Sequence, residues 1–144
     1  MHERTVRVTS EELSLHTSGE NDILDITDEV SRAVSSSGLT DGVAIIFVQG
    51  STAAVTTLEY ERGLLKDLPM ALERIAPKGE LYEHEKAWHD GNGHSHVRSA
   101  VVGTSLTVPF MRGRLVLGTW QQIVLVEMDV RPRDRRVIVQ LLGE

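Results

Sequence analysis

The chain has 144 residues, 40% hydrophobic and 25% charged, with no cysteine and a formal net charge of −6. That length and composition fit one ordinary globular domain spanning 1–144, able to bury a core without staples, while the missing cysteines exclude disulfides and thiolate metal sites. No apolar run approaches the ~20 residues that cross a bilayer, and Met1-His2-Glu3-Arg4 opens no apolar signal segment, so the expected setting is cytoplasmic, away from membranes.

Thr5–Thr9 alternates and is rich in β-branched residues, which predicts a strand, and a second short strand is expected over 13–17. Asp25 can cap a helix that carries Ile26, Val30, Ala33 and Val34 on one face and stops at Gly38. The continuous apolar run 42–48 reads as a fully buried strand, and 53–59 as another. Leu64, Leu65, Leu68, Leu72 and Ile75 recur at helical spacing; Pro69 interrupts them, so the regular helix is expected to begin there, with proline in its first turn, and to stop at Pro77-Lys78-Gly79. Residues 88–93 are loop by composition, and 94–102 form a short helix closed by Gly103. Strands follow over 105–109, 114–118, 120–129 and 136–142, with turns at 111–113 and 131–134. Short turns between many strands predict an α+β fold, mainly antiparallel and sandwich-like, with two or three helices packed on the sheet.

His84, His89, His94 and His96 are four of the six histidines and lie within thirteen positions. Imidazole is the commonest metal ligand, and three of these with Asp90 or Glu127 could build a tetrahedral zinc site. If 94–96 is helical, His94 and His96 point to opposite sides; if extended, to the same side. His89 reads better as a surface loop residue. Gly91-x-Gly93 before a helix offers a second chemistry: the N–H groups near His94, Ser95 and His96 could hold a small anion. Glu127 interrupts an apolar strand, sharing a face with Gln121, Ile123 and Leu125 by period two, so it is either solvated at a strand end or buried and paired. Ser51 and Ser105 lie in no G-x-S-x-G elbow, which argues against a serine hydrolase.

Charge is unevenly spread: eight Lys/Arg against seventeen Asp/Glu over 1–97, then seven Arg against four Asp/Glu over 98–144. Arg98, Arg114 and Arg136 could meet phosphate in bidentate fashion, or equally pair with the acidic half or another subunit. The basic excess is too small and too scattered for a duplex-binding face, so nucleic acid is not an expected partner.

The sequences Ser105-Leu106-Thr107-Val108-Pro109, Gly113-Arg114-Leu115 and Gly118-Thr119-Trp120-Gln121-Gln122-Ile123 resemble the signature of the YjbQ-like family, also called the secondary thiamine-phosphate synthase family. Gly50–Ala54 through Glu59, Tyr82-x-His84, Asn92–His96 and Gln140–Glu144 agree in order, so the likeness covers nearly the whole chain. The resemblance implies an α+β sandwich-like domain, a homotrimer, a pocket near subunit contacts, and a weak capacity to join a pyrimidine pyrophosphate and a thiazole phosphate into thiamine phosphate. Carried over position by position, it marks Glu59, His84, His96, Gln121 and Glu127, with His94 matched in some members only. Many members have a histidine where this chain has Gln49 or Gly50.

The expected site therefore has catalytic His84, His96, Glu59, Gln121 and Glu127, a divalent zinc or magnesium ion on His84, His94 and His96, and an anion held by His94, Ser95, Arg98, Arg114 and Arg136. Three functions stay open: a thiamine-phosphate-forming transferase, an enzyme on another small anionic substrate, or a non-catalytic trimer that binds a metal or anion.

Overall fold

The computed structural model describes residues 3–144; Met1 and His2, the first half of the charged start, lie outside the described residues. The described residues form eight strands and four helices in the order β1 (Arg7–His16), β2 (Ile23–Asp25), α1 (Thr27–Ser37), β3 (Gly42–Val48), β4 (Ala53–Leu58), α2 (Leu64–Ile75), α3 (Glu83–Trp88), α4 (Gly93–Val102), β5 (Ser105–Met111), β6 (Arg114–Leu115), β7 (Gln122–Glu127) and β8 (Asp134–Gly143). They form two antiparallel sheets, β1-β8-β3-β5-β6 and β2-β7-β4. The fold is α+β, as the pattern of strands and turns implies.

The main core lies between the inner faces of the sheets. Ala44, Ile46 and Val48 of β3 and Val137, Val139 and Leu141 of β8 meet Ile123 and Leu125 of β7 and Val55 of β4, and Val30, Ala33 and Val34 of α1 close the side. A second core forms on the other face of the small sheet, where Ala54, Val124, Val126 and Met128 pack on Leu65, Leu68 and Leu72 of α2. Each fully buried aliphatic side chain contributes about 1.5–3 kcal/mol relative to exposure.

Several expectations change. The two short N-terminal strands are one: β1 runs unbroken from Arg7 to His16, paired with β8 through all ten residues. Its Ser10-Glu11-Glu12 centre is polar because β1 is a sheet edge, where charge discourages further pairing. Helix α1 begins at Thr27, whose N–H and hydroxyl both donate to Asp25 Oδ1 (3.0 and 2.6 Å), and Gly38 ends it at φ 75°. Helix α2 starts at Leu64, five residues before Pro69. Its entry is held by the Glu61 carboxylate, which accepts the N–H groups of Gly63 (2.8 Å) and Leu64 (2.6 Å), and Pro69 stands as its sixth residue. Residues 83–88 form α3, so the loop expected from Trp88 begins one residue later. Strand β3 is buried on one face only: Phe47 is exposed and Val43 and Ile45 are half-buried. The strand buried on both faces is β7, because it is the middle strand of the middle layer.

Candidate functional site

His84 is the second residue of α3, His96 stands in the first turn of α4, and Asp90 lies in the loop between them. One ligand atom from each of the three falls within 4.8 Å of the others. The imidazole centroids are 4.5 Å apart at 52°, and His84 Nε2 is 3.0 Å from Asp90 Oδ1. The Asn92 backbone N–H donates to the same Asp90 oxygen at 3.0 Å and, against the opposing effect of burial and with help from His84, holds the Asp90 carboxyl below the usual carboxylate range. Side chains of His84 and Asp90 remain about one-third exposed (27% and 34%), so an ion can reach them. Two imidazoles and a carboxylate form a donor set for zinc or a similar borderline divalent ion, and three protein ligands leave a position open for substrate or water.

Local structure explains why the three groups meet. The Glu85 carboxylate accepts the N–H of Gly91 (2.8 Å) and of Gly93 (2.7 Å), which clamps α3 to the start of α4. The loop reverses direction through left-handed His89 (φ 53°) and Gly91 (φ 74°). Gly93 is required by a close approach: a Cβ there would stand 2.6 Å from the Tyr82 Cβ. His89 itself is exposed and belongs to the turn.

Because α4 is helical from Gly93, His94 points away from His96, some 200° around the axis. The proposed grouping of His94 with His84 and His96 is therefore corrected: Asp90 takes the third position. His94 is 3% exposed and bonds Glu20, which also accepts Lys78 Nζ (2.8 Å) and lies 3.8 Å from Arg98. Burial raises the Glu20 pKa, yet hydrogen bonds from Lys78 and His94 bring it below its usual value. Arg98 is buried, donating from Nε to the Ala76 carbonyl (2.9 Å) and from Nη2 to Glu73 (2.5 Å). Ser95 donates to Asn92 Oδ1 at 2.9 Å. The negative group at the α4 N-terminus is Glu85, so the anion expected at His94 and Ser95 has an internal substitute there.

Glu127 is fully buried and does not join the histidines. Its oxygens accept Thr17 Oγ1 (2.7 Å), Arg135 Nε (2.8 Å) and Nη2 (2.5 Å), and the N–H groups of Met128 and Asp129 (both 3.1 Å). This ion pair bridges the sheets, with Glu127 on β7 and Arg135 on the inner face of β8. Beside it, Asp129 accepts Thr52 Oγ1 (3.0 Å), Asn92 Nδ2 (3.2 Å), Arg133 Nε (2.9 Å) and the Arg131 N–H (2.9 Å). Burial raises the Asp129 pKa, and these hydrogen bonds more than reverse it, leaving it below its usual value. Asn92 thus links Asp129 to Asp90.

Glu59 and Gln121 lie just past the opposite end of the β4–β7 ladder, about 20 Å along the strand from Glu127. Glu59 is exposed past β4, and Gln121 bonds Thr57 Oγ1 (3.1 Å) and the Gly118 N–H (3.0 Å). Within one chain neither reaches the His84–Asp90–His96 group. Arg136 is exposed and paired with Glu12, and Arg114 is exposed on β6. At Gly50, φ is 127° and a Cβ would stand 2.8 Å from Arg135 Nη1. Glu85, Asn92, Asp129, Arg133 and Arg135 were not anticipated. The signal available was the alternation of Glu127, Asp129, Arg131, Arg133 and Arg135 around one turn.

A family model described as UPF0047 protein YjbQ-like matches residues 11–144. A UPF0047 protein of Archaeoglobus fulgidus is 41% identical over 131 residues, covering 91% of this chain and 99% of the relative. The UPF0047 protein YugU of Bacillus subtilis is 35% identical over 133 residues, with 91% and 97% covered. The crystal structure of a YbjQ-like protein of unknown function from Sulfolobus solfataricus is similar at a TM-score of 0.91 and 34% identity, covering 97% of this chain and all of that one.

Proposed function

The chain belongs to the YjbQ-like UPF0047 family, and from that premise we propose that it is a metal-dependent enzyme acting on a small phosphorylated substrate. The observation that carries this reading is the meeting of His84, Asp90 and His96 from α3, the loop and α4, with ligand atoms within 4.8 Å. Two imidazoles favour zinc over magnesium. A divalent ion held there supplies a Lewis acid for a phosphoryl oxygen. The chain's own part is to keep Asp90 ionised through the Asn92 N–H and to fix the histidines by the Glu85 clamp.

The reaction to test first is the one implied by the family resemblance. The thiazole nitrogen of thiazole phosphate attacks the methylene carbon of the pyrimidine pyrophosphate. A C–N bond forms as the C–O bond breaks, and pyrophosphate leaves with the electron pair, so no redox partner is needed. Purified protein with both half-substrates and Mg²⁺ or Zn²⁺ should form thiamine phosphate above the level of a His84→Ala, His96→Ala double variant. Equal, background-level product from both proteins would remove this activity from the proposal.

The active assembly in this reading is a homotrimer. The outward face of the large sheet supports it: Val8, Leu142 and Val43 align across three strands, and Ile138 stands beside Phe47. Val8 and Phe47 are 60% and 41% exposed in the isolated chain.

A further inference from the structure

We infer that Arg135 and Arg133, with the Gly50–Thr52 turn, form a binding site for a phosphoryl group. The inference deepens the phosphorylated-substrate reading, and rests on it, by naming donors that the sequence did not single out.

Arg135 is unusual in how it is divided. Its side chain is only 7% exposed, and Nε and Nη2 are engaged by Glu127, the Thr52 carbonyl (3.1 Å) and Thr52 Oγ1 (2.8 Å). Nη1 donates to no acceptor among the described residues, yet it is not one of their buried unpartnered atoms. It reaches the surface beside Gly50, where a Cβ would stand 2.8 Å away. A left-handed glycine (φ 127°) thus leaves uncovered the tip of an arginine that is otherwise locked in place.

Arg133 completes the arrangement. Its Nε is held by Asp129 Oδ2 (2.9 Å), and the same oxygen accepts Thr52 Oγ1, which in turn accepts Arg135 Nη2. One Asp129 oxygen therefore ties Arg133 to the threonine hydroxyl that also holds Arg135. The side chain of Arg133 is 44% exposed and its two Nη nitrogens make no bond among the described residues. Glu127 and Asp129 fix the two arginines without using these outer N–H groups, so little conformational freedom is lost when a ligand binds. Ser51, next to Gly50, and Arg131, on the same turn as Arg133, are also exposed. A phosphoryl group has enough acceptor oxygens to meet the free N–H groups of both arginines at once. The Asn92 side chain ties Asp129 to the loop that carries Asp90, so the site shares a frame with the proposed metal ligands.

The test is calorimetric titration of EDTA-treated protein with inorganic pyrophosphate at fixed ionic strength. Removing metal separates this site from phosphate bound through an ion on His84, Asp90 and His96. The wild-type chain should bind saturably. Arg133→Gln, an exposed change, should weaken binding about tenfold or more and leave zinc binding unaltered. Arg135→Lys, which keeps a cation opposite Glu127 but removes Nη1, should do the same; if it does not fold, Arg133→Gln decides. No saturable binding by the metal-free wild type, or unchanged affinity in Arg133→Gln, overturns the inference whatever the fate of the metal site.

Discussion

Glu127 illustrates what a single buried carboxylate can do. Sitting in the middle layer with five donors around it, it is fully satisfied, and both its oxygens are engaged by Arg135, Thr17 and two backbone N–H groups. Such a group holds two sheets in register rather than moving protons. The desolvation of both partners makes the pair a weak net stabiliser, but removing one partner strands the other. Arg135→Ala should therefore cost about 3–5 kcal/mol in urea unfolding at neutral pH. A loss below about 1 kcal/mol would mean that water reaches Glu127 and that the pair is not a sheet-to-sheet tie.

At the scale of elements, sequence patterns were legible where burial is repetitive. The α1 stripe, its Gly38 stop, α4 with Gly103 and the strands expected at 53–59 and 105–109, observed at 53–58 and 105–111, follow from periodicity and turn residues. Patterns failed where position in the stack decides. The apolar runs of β3 and β7 look alike, yet only β7 lies between two packed layers. Helix α3 has no buried residue, so no hydrophobic period announces it; a carboxylate clamp from Glu85 holds it instead. That is also why half of the candidate site was hidden. The crowding of His84 and His96 is visible in the chain, and Asp90 was already a candidate fourth ligand. The choice between Asp90 and His94 depends on α4 starting at Gly93 and on a loop turned by His89 and Gly91. The charged network from Asp90 through Asn92, Asp129 and Thr52 to Arg135 joins three distant segments, of which local spacing reveals only the alternation over 127–135.

The whole molecule is a stack of large sheet, small sheet and helix α2, with its outermost sheet face uncovered in the isolated chain. No helix of the described residues is long and apolar enough to cross a membrane. A second and third copy would cover the face carrying Val8, Val43, Ile45, Phe47 and Leu142. Phe47→Asp, which leaves the inner core untouched, should convert a species of about three times the 16.0 kDa chain mass into a monomer by light scattering. A wild-type monomer, or an unaltered trimer in the variant, would contradict that assembly.

The role of the metal ligands can be examined without knowing the substrate. Equilibrium dialysis of the EDTA-stripped protein against Zn²⁺, followed by elemental analysis, should find close to one ion per chain, with affinity falling at least about tenfold in Asp90→Asn and stoichiometric binding lost in the His84→Ala, His96→Ala double variant. It should persist in His94→Gln, whose imidazole faces Glu20. Absence of zinc from the wild type, or retention by the double variant, would contradict the account.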